Sequence, residues 1–434
     1  MQQDKPRVLI ISSCPLSMGP AAIAGQYYDA LLRKGIETDL LLKLPEPGRP
    51  DIKYVWEEDK KPSFFQRIMR KVKRRLSKYA VSKPGFCFFY KKENNPPVPS
   101  QDILNKITKP YDLVYVVFWQ TMLSFESIDK IFNKLHCQIH FCGVDYSQMS
   151  GGCHFTGDCQ RYKIGCGCCP AFNSNNQNDF TAWNVQYRKK VYEKVKPIVY
   201  GNQYMMNFYK ESYLLKDARC ELNPSAIIDT DVFKPLNIDP IRLKYGISEE
   251  KKYIVFFACH FLDDTRKGIY YLIDALNILY DNLSGKINEI LIIMAGREYE
   301  KVNNLIPFES MGMGYVPMNI LPELFSISTL FVCPSINDAG PMMVGQSLCC
   351  GTPVVGFDMG SVKQLVKNQG TGVCVSLKDS KALAEGIRSI ILMPKDKYKI
   401  MATRCREIAL RFCSYDAQAD LILNTYYRYK NYTD

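Results

Sequence analysis

Residues 334–360 read PSINDAGPMMVGQSLCCGTPVVGFDMG. A strand ending in FVCPS feeds a loop, NDAGP; then come a helix from MMVGQSL, a Gly-Thr-Pro turn and a short apolar strand. In an open α/β sheet, ligands sit beyond the carboxyl ends of strands, and helix N-termini there hold anions. Gly340 lets the backbone approach a ligand closely, and Pro341 suits a first helical turn. The helix carries Gln346 and no carboxylate. From the residues alone, a phosphate-binding loop and a structural βα corner both stay open.

The surroundings supply the architecture. Toward the N-terminus, RVLIISS, ETDLLLK, DLVYVVFW and QIHFCGVD read as strands between helical periods such as GQYYDALLRKG and SIDKIFNKL. The alternation restarts after NPSAIIDTDVFKP (223–235), a Pro-punctuated stretch expected to be a linker. KKYIVFFACH, EILIIMAG and TLFVCPS are then strands separated by helices. Such βαβα order predicts parallel, doubly wound sheets. The expected layout is an N-terminal Rossmann-like domain over 1–222, the linker over 223–235 and a second Rossmann-like domain over 236–410. A helix over 411–434 would cross back, and the two domains would face each other over a cleft.

The bulk numbers fit. At 434 residues the chain exceeds one ordinary core. A hydrophobic share of 47% with 23% charged residues is that of a globular protein. No apolar run approaches the roughly 18 to 20 residues of a membrane-spanning helix. The start, MQQDKPRVLIISSC, mimics a lipoprotein cleavage site at Cys14, but its apolar run is far short of a secretory segment, so a first strand is expected. Seventeen cysteines, many in apolar contexts, favour a reducing compartment over a disulfide scaffold.

The opening stretch resembles the signature of retaining glycosyltransferases of family 4, which have the GT-B fold: PSxxEGFGxxxxEAxxxGTPVV. Asp338 falls on the first glutamate of that motif and Gln346 on the second. SSCPLSMGPAAIAGQYYDALLRKG resembles the family's first strand, loop and helix, with Gly19 in the loop; NPSAIIDTDVFKP resembles its interdomain segment. DDTRKGIYYLIDAL resembles the region of the pyrophosphate-binding lysine, which implies Lys267 with Arg266 beside it. The segment with Tyr315 and Val316 resembles the one facing the base.

What the resemblance implies is an α/β protein of two Rossmann-like domains. It would move a sugar from a nucleoside diphosphate-sugar to a glycan acceptor. Donor binding would fall to Arg266, Lys267, Tyr315, Val316, Ala339, Gly340, Pro341, Met342 and Gln346. Catalysis would involve Asp338, Lys267 and Asp145; the acceptor side would include Gly19, Trp119 and Asp145. No catalytic cofactor is expected. The leaving diphosphate would be stabilised by Lys267, Arg266 and the amides near Gly340 to Met342. The acceptor hydroxyl would attack from the same face, with retention.

The departures are specific. The family's nucleotide-contacting arginine, in a Gly-Arg pair, is replaced by Ala258, Cys259 and His260. A His-Asp pair of related enzymes is here Val144 and Asp145. Glutamate to aspartate at 338 shortens the reach, and glutamate to glutamine at 346 removes a charge, an expected loss of about 1–2 kcal/mol in ribose binding. An inactive sugar-nucleotide or glycan-binding subunit is therefore the alternative reading.

Two segments stand apart. SGGCHFTGDCQRYKIGCGCCPAF, within a Cys-rich loop over 150–172, places Cys153, Cys159, Cys166 and Cys169 at C-x5-C-x6-C-x2-C. Four thiolates so close suit a structural zinc, ahead of free thiols or disulfides and of an iron–sulfur cluster. A branch of the family carries a similar TGGCH…CGxCP segment. Residues 60–83 hold ten Lys or Arg and no acid, with apolar residues at helical spacing. That pattern suits an anionic membrane surface, ahead of a basic face packed on its own domain and of nucleic acid. The composite expectation is a cytoplasmic enzyme, peripheral on the inner membrane face, acting on a lipid-linked acceptor in surface polysaccharide assembly.

Overall fold

The computed structural model describes residues 4–16, 22–58, 86, 88, 92–283 and 285–430. The expected membrane-facing segment 60–83 and the loop glycine Gly19 lie outside the described residues. The chain divides into two compact units. The first takes residues up to Gly201, Met205–Asn223 and those from Ala419 on; the second takes Asn202–Tyr204 and Pro224–Gln418.

The first unit is built on β1 (Val8–Ser12), β2 (Thr38–Leu42), β3 (Lys53–Tyr54), β4 (Leu113–Val117), β5 (Gln138–Phe141), β6 (Ile198–Gly201) and β7 (Arg219–Leu222). They lie in the order β3-β2-β1-β4-β5-β6-β7, each pairing parallel to its neighbours. The central strands are buried along their whole length, as VLIIS and LVYVV must be when helices cover both faces.

The second unit repeats the plan with β8 (Tyr253–Cys259), β9 (Ile290–Gly296), β10 (Ser310–Gly312), β11 (Leu330–Cys333), β12 (Val354–Phe357) and β13 (Gly372–Val375). Their order is β10-β9-β8-β11-β12-β13, again all parallel. Alternate residues of β8 feed two separate cores. Ile254 and Phe256 pack with Phe331, Val344 and Leu348, while Val255 and Phe257 pack with Leu272, Leu276 and Ile387. In each sheet the strand order reverses once, between β1 and β4 and between β8 and β11. These switch points are where α/β sheets hold ligands. Two doubly wound domains of this order make the GT-B fold anticipated from the sequence.

The segment 223–235 is more than a tether. Ile228 and Phe233 are buried in the second unit's core, Ile228 N–H donates to Cys413 O at 2.8 Å, and Arg406 donates to the carbonyls of Phe233 and Thr230. The C-terminal region forms helices Lys395–Cys413 and Tyr415–Tyr429, broken at Ser414. Within the first unit, Gln138 donates to Tyr426 O at 3.0 Å and Arg428 pairs with Glu221 at 2.7 Å.

Candidate functional site

In the second unit the switch point is flanked by the loop after β8 and the loop after β11, and the backbone fastens one to the other. Ile336 and Asn337 N–H both donate to Arg266 O, at 2.8 and 3.3 Å. Gly268 closes the short turn Thr265–Lys267 with φ +64°, and a Cβ there would lie 1.9 Å from Pro334 O. Only glycine permits that approach.

The strapping brings Lys267 Nζ to 2.7 Å from Asp338 Oδ2. Asp338 Oδ1 also accepts from Gly340 N–H at 3.1 Å, fixing the turn into the helix Met342–Cys349. Burial pushes the Asp338 carboxyl up, but the Lys267 ammonium, the Gly340 N–H and Arg266 outweigh it and hold it below the usual carboxylate range. Ala339 is buried, whereas Gly340 and Met342 are partly open. Pro341 is the N-cap, one position ahead of the expected first turn. Gln346 is almost fully buried, its amide donating to Met318 Sδ at 3.3 Å, and Tyr315 is exposed.

Further basic groups gather at the same strand ends. Arg266 pairs with Asp264 at 2.8 Å, and His260 Nδ1 lies 3.7 Å from that same carboxylate. Burial lowers the His260 pKa, and Lys267, then Arg266 and Arg297, lower it further against the opposing effect of Asp264. The absent Gly-Arg arginine is thus not a deficit of positive charge. Arg297, not singled out from the sequence, lies in the turn directly after β9.

The first unit corrects two expectations. Trp119 is fully buried, its ring against Phe125 and Phe141 and beneath the Arg188 guanidinium. It is core, with no surface for an acceptor. Asp145 is also 0% exposed. It accepts from Ser147 N–H at 2.7 Å, from Ser147 Oγ and from Gln120 Nε2, and His154 Nδ1 lies 3.0 Å from Oδ2. Burial pushes the Asp145 carboxyl up, but His154 and Ser147 together hold it below the usual range. Asp145 is therefore a positioning residue. The side chain it presents is His154, 23% exposed, which follows the first cysteine of the Cys-rich loop. A histidine ten positions downstream takes the place beside the aspartate that Val144 leaves empty. Spacing gives no hint of it, because the contact forms by the return of the Cys-rich loop, where Tyr146 N–H donates to His154 O at 3.0 Å.

Beneath this loop lies a buried ion pair. Arg188, from the helix Phe180–Val195, contacts Glu93 at 2.6 Å and donates to the carbonyls of Ser147 and Ser150; both partners are essentially unexposed. Cys153, Cys159, Cys166 and Cys169 line one cavity of about 20 Å³ together with Phe88 and Arg161. The described cysteines are free thiols. Burial pushes Cys153 up strongly, Cys166 to about 12 and Cys169 to about 11. Among the described residues no three His, Cys, Asp or Glu side chains are arranged to hold a metal ion. The four thiols thus share one cavity without forming a ligand set among the described residues.

Comparison with known proteins bears on the second unit most directly. Residues 237–409 match the family described as Glycosyl transferases group 1. The chain is 23% identical over 155 residues to an uncharacterized glycosyltransferase of Methanocaldococcus jannaschii, covering 35% of this chain and 38% of that protein. It is 28% identical over 117 residues to alpha-maltose-1-phosphate synthase of Mycolicibacterium smegmatis, covering 26% and 30%. The chain thus spans less than two fifths of the length of these curated relatives. Over the whole chain the fold matches solved structures. Sucrose-phosphate synthase from Thermosynechococcus elongatus superposes with a TM-score of 0.65 at 15% identity, covering 99% of this chain and 100% of that one. Anabaena HepE in complex with UDP gives 0.63 at 13% identity, covering 97% and 100%.

Proposed function

We propose that this protein is a retaining glycosyltransferase that moves a sugar from a nucleoside diphosphate-sugar to a hydroxyl of a glycan acceptor. The observation carrying this is the Lys267–Asp338 pair at the second unit's switch point, held at 2.7 Å by the strapped loops. A cation already neutralised by a neighbouring carboxylate can turn to a diphosphate and leave the carboxylate for a sugar hydroxyl. The sugar–oxygen bond then breaks with its electron pair on the diphosphate. Lys267 and the N–H groups at the start of the helix Met342–Cys349 are preorganised for that charge. Retention is part of the proposal: the acceptor oxygen attacks from the face the diphosphate leaves and passes its proton to the departing diphosphate. UDP-sugars are the first donors to test, since the similar HepE was crystallised with UDP.

The finer reading keeps a lipid-linked acceptor, surface polysaccharide assembly and docking to an anionic inner membrane face through 60–83. Its support is the sequence of that segment and of the opening motif; among the described residues no helix is long and apolar enough to cross a membrane. It also keeps a structural zinc on Cys153, Cys159, Cys166 and Cys169, which requires the four thiols to turn toward a common centre. Elemental analysis is expected to find about one zinc per chain, absent from Cys153→Ser. A zinc-free chain from zinc-supplemented culture ends that part.

The decisive assay is nucleoside diphosphate release from UDP-, GDP- and ADP-sugars, with and without membrane extract. Release that stops in Lys267→Ala establishes a transferase and its donor. Tight nucleotide binding without release from any donor selects the inactive-subunit reading. The buried Gln346 amide on Met318 is the observation that keeps this second reading in play.

A further inference from the structure

The ends of β8 and β9 are paired, with Gly296 opposite Cys259. Gly296 has φ +116°, and a Cβ there would lie 2.1 Å from Cys259 O. The close approach sets the loop after β9 directly against the loop after β8. It is then locked: Leu262 N–H donates to the Glu298 carboxylate at 2.7 Å. Between these fixed points Arg297 lays its guanidinium over the Phe261 ring, 5.0 Å from the centroid. Arg297 and His260 are both exposed, on adjacent strand ends beside the switch point.

We infer that Arg297, together with His260, forms a second cationic wall of a diphosphate-binding site whose first wall is Lys267. The inference rests on the donor reading above and names two residues that no comparison assigns. A guanidinium held over an aromatic ring still has N–H groups to offer at its rim, where they suit phosphate oxygens. Phe261 is 40% exposed, which a core-packing role would not leave, and its task here is to hold Arg297 in place. His260 stands in this second wall, at the end of β8. The charged groups acting on it are Asp264, Arg266, Lys267 and Arg297, so three of the four are cations. An anion carrying two or more charges is favoured beside this group of cations.

The test is calorimetry on the full chain with UDP, GDP, inorganic pyrophosphate and the nucleoside uridine. Arg297→Ala is expected to weaken UDP and pyrophosphate about tenfold and to lower the salt dependence of binding, with uridine unchanged. Arg297→Lys recovers part of the loss, since charge remains while the planar fork goes. Phe261→Leu, which keeps the charge but removes the ring, is expected to fall between wild type and Arg297→Ala. Equal UDP and pyrophosphate affinity in wild type and Arg297→Ala overturns the inference and leaves the transferase reading standing. An equal loss for uridine also overturns it, because that is the mark of a disturbed fold. A wild-type chain that binds neither any nucleoside diphosphate nor pyrophosphate overturns the donor reading and this inference together.

Discussion

The two units hold acids beside bases, yet to opposite ends. In the first unit Glu93–Arg188 is sealed from solvent, and Asp145 has every approach occupied by Ser147, Gln120 and His154. In the second, the Lys267 and Asp338 side chains keep 28% and 14% of their surface, and the His260 side chain keeps half. A fully desolvated pair cannot exchange partners, because either charge left alone inside is too costly. A partly exposed pair loses less when a ligand replaces one member, since water reaches it. The first arrangement is a scaffold for a loop, and the second is open enough to seat the proposed diphosphate.

The sharpest break of this contrast is Arg188→Ala. It strands Glu93 and frees the carbonyls of Ser147 and Ser150, an expected loss of about 3–5 kcal/mol. The thermal midpoint of the first unit should fall by on the order of 10 °C. UDP binding below that midpoint should be unchanged; joint loss of both would show that the two regions do not divide the work as described. Asp145→Asn comes next, at about 2 kcal/mol, since charge-assisted bonds from Ser147 become neutral ones. It should also impair transfer while sparing nucleotide affinity, because the amide no longer holds His154. Full transfer activity in Asp145→Asn would return that aspartate to a merely structural part.

The contrast also explains what was legible in the chain. The parallel, doubly wound sheets followed from alternation and connection rules, and the candidate donor loop from the resemblance carried by the contiguous run 334–360. Lys267 and Asp338 were both named from their own segments. Their pairing needed only the glycine at 268. Trp119 and Asp145 were misplaced because burial is a property of the assembled core: nothing next to Trp119 in sequence announces that Arg188 will lie over its ring. His154 and Arg297 escaped for a related reason. Each acquires its role from a loop packed against a different strand end, and the only trace in the sequence is the neighbouring glycine or cysteine that fixes the loop.

Asp338→Asn tests the exchangeable pair at smaller magnitude. Removing the carboxylate releases Lys267 from its internal partner, so UDP alone should bind tighter, by about 1 kcal/mol, while transfer falls for want of the acid near the sugar. Weaker UDP binding in this variant would mean that Asp338 orders the lysine and does not compete for it.

The finest distinction is carried by pH. In the free protein His260 titrates below the ordinary histidine range, through burial first and then through Lys267, Arg266 and Arg297 against Asp264. A diphosphate beside it favours the protonated ring and raises that value in the complex. The complex then binds more protons than the free protein, so UDP affinity must rise as pH falls between the two values and stay flat above both. With half of the His260 side chain exposed, the gain from pH 8 to pH 6 should be modest, a factor of about three. His260→Ala should remove this slope. The ionisation of the UDP phosphate itself, which weakens binding toward low pH, is present in both proteins and cancels in their ratio. It is therefore the ratio of wild-type to His260→Ala affinity, taken at each pH, that should climb as the solution is acidified. A flat ratio would put His260 outside the field of the diphosphate and leave Arg297 and Lys267 as its only walls.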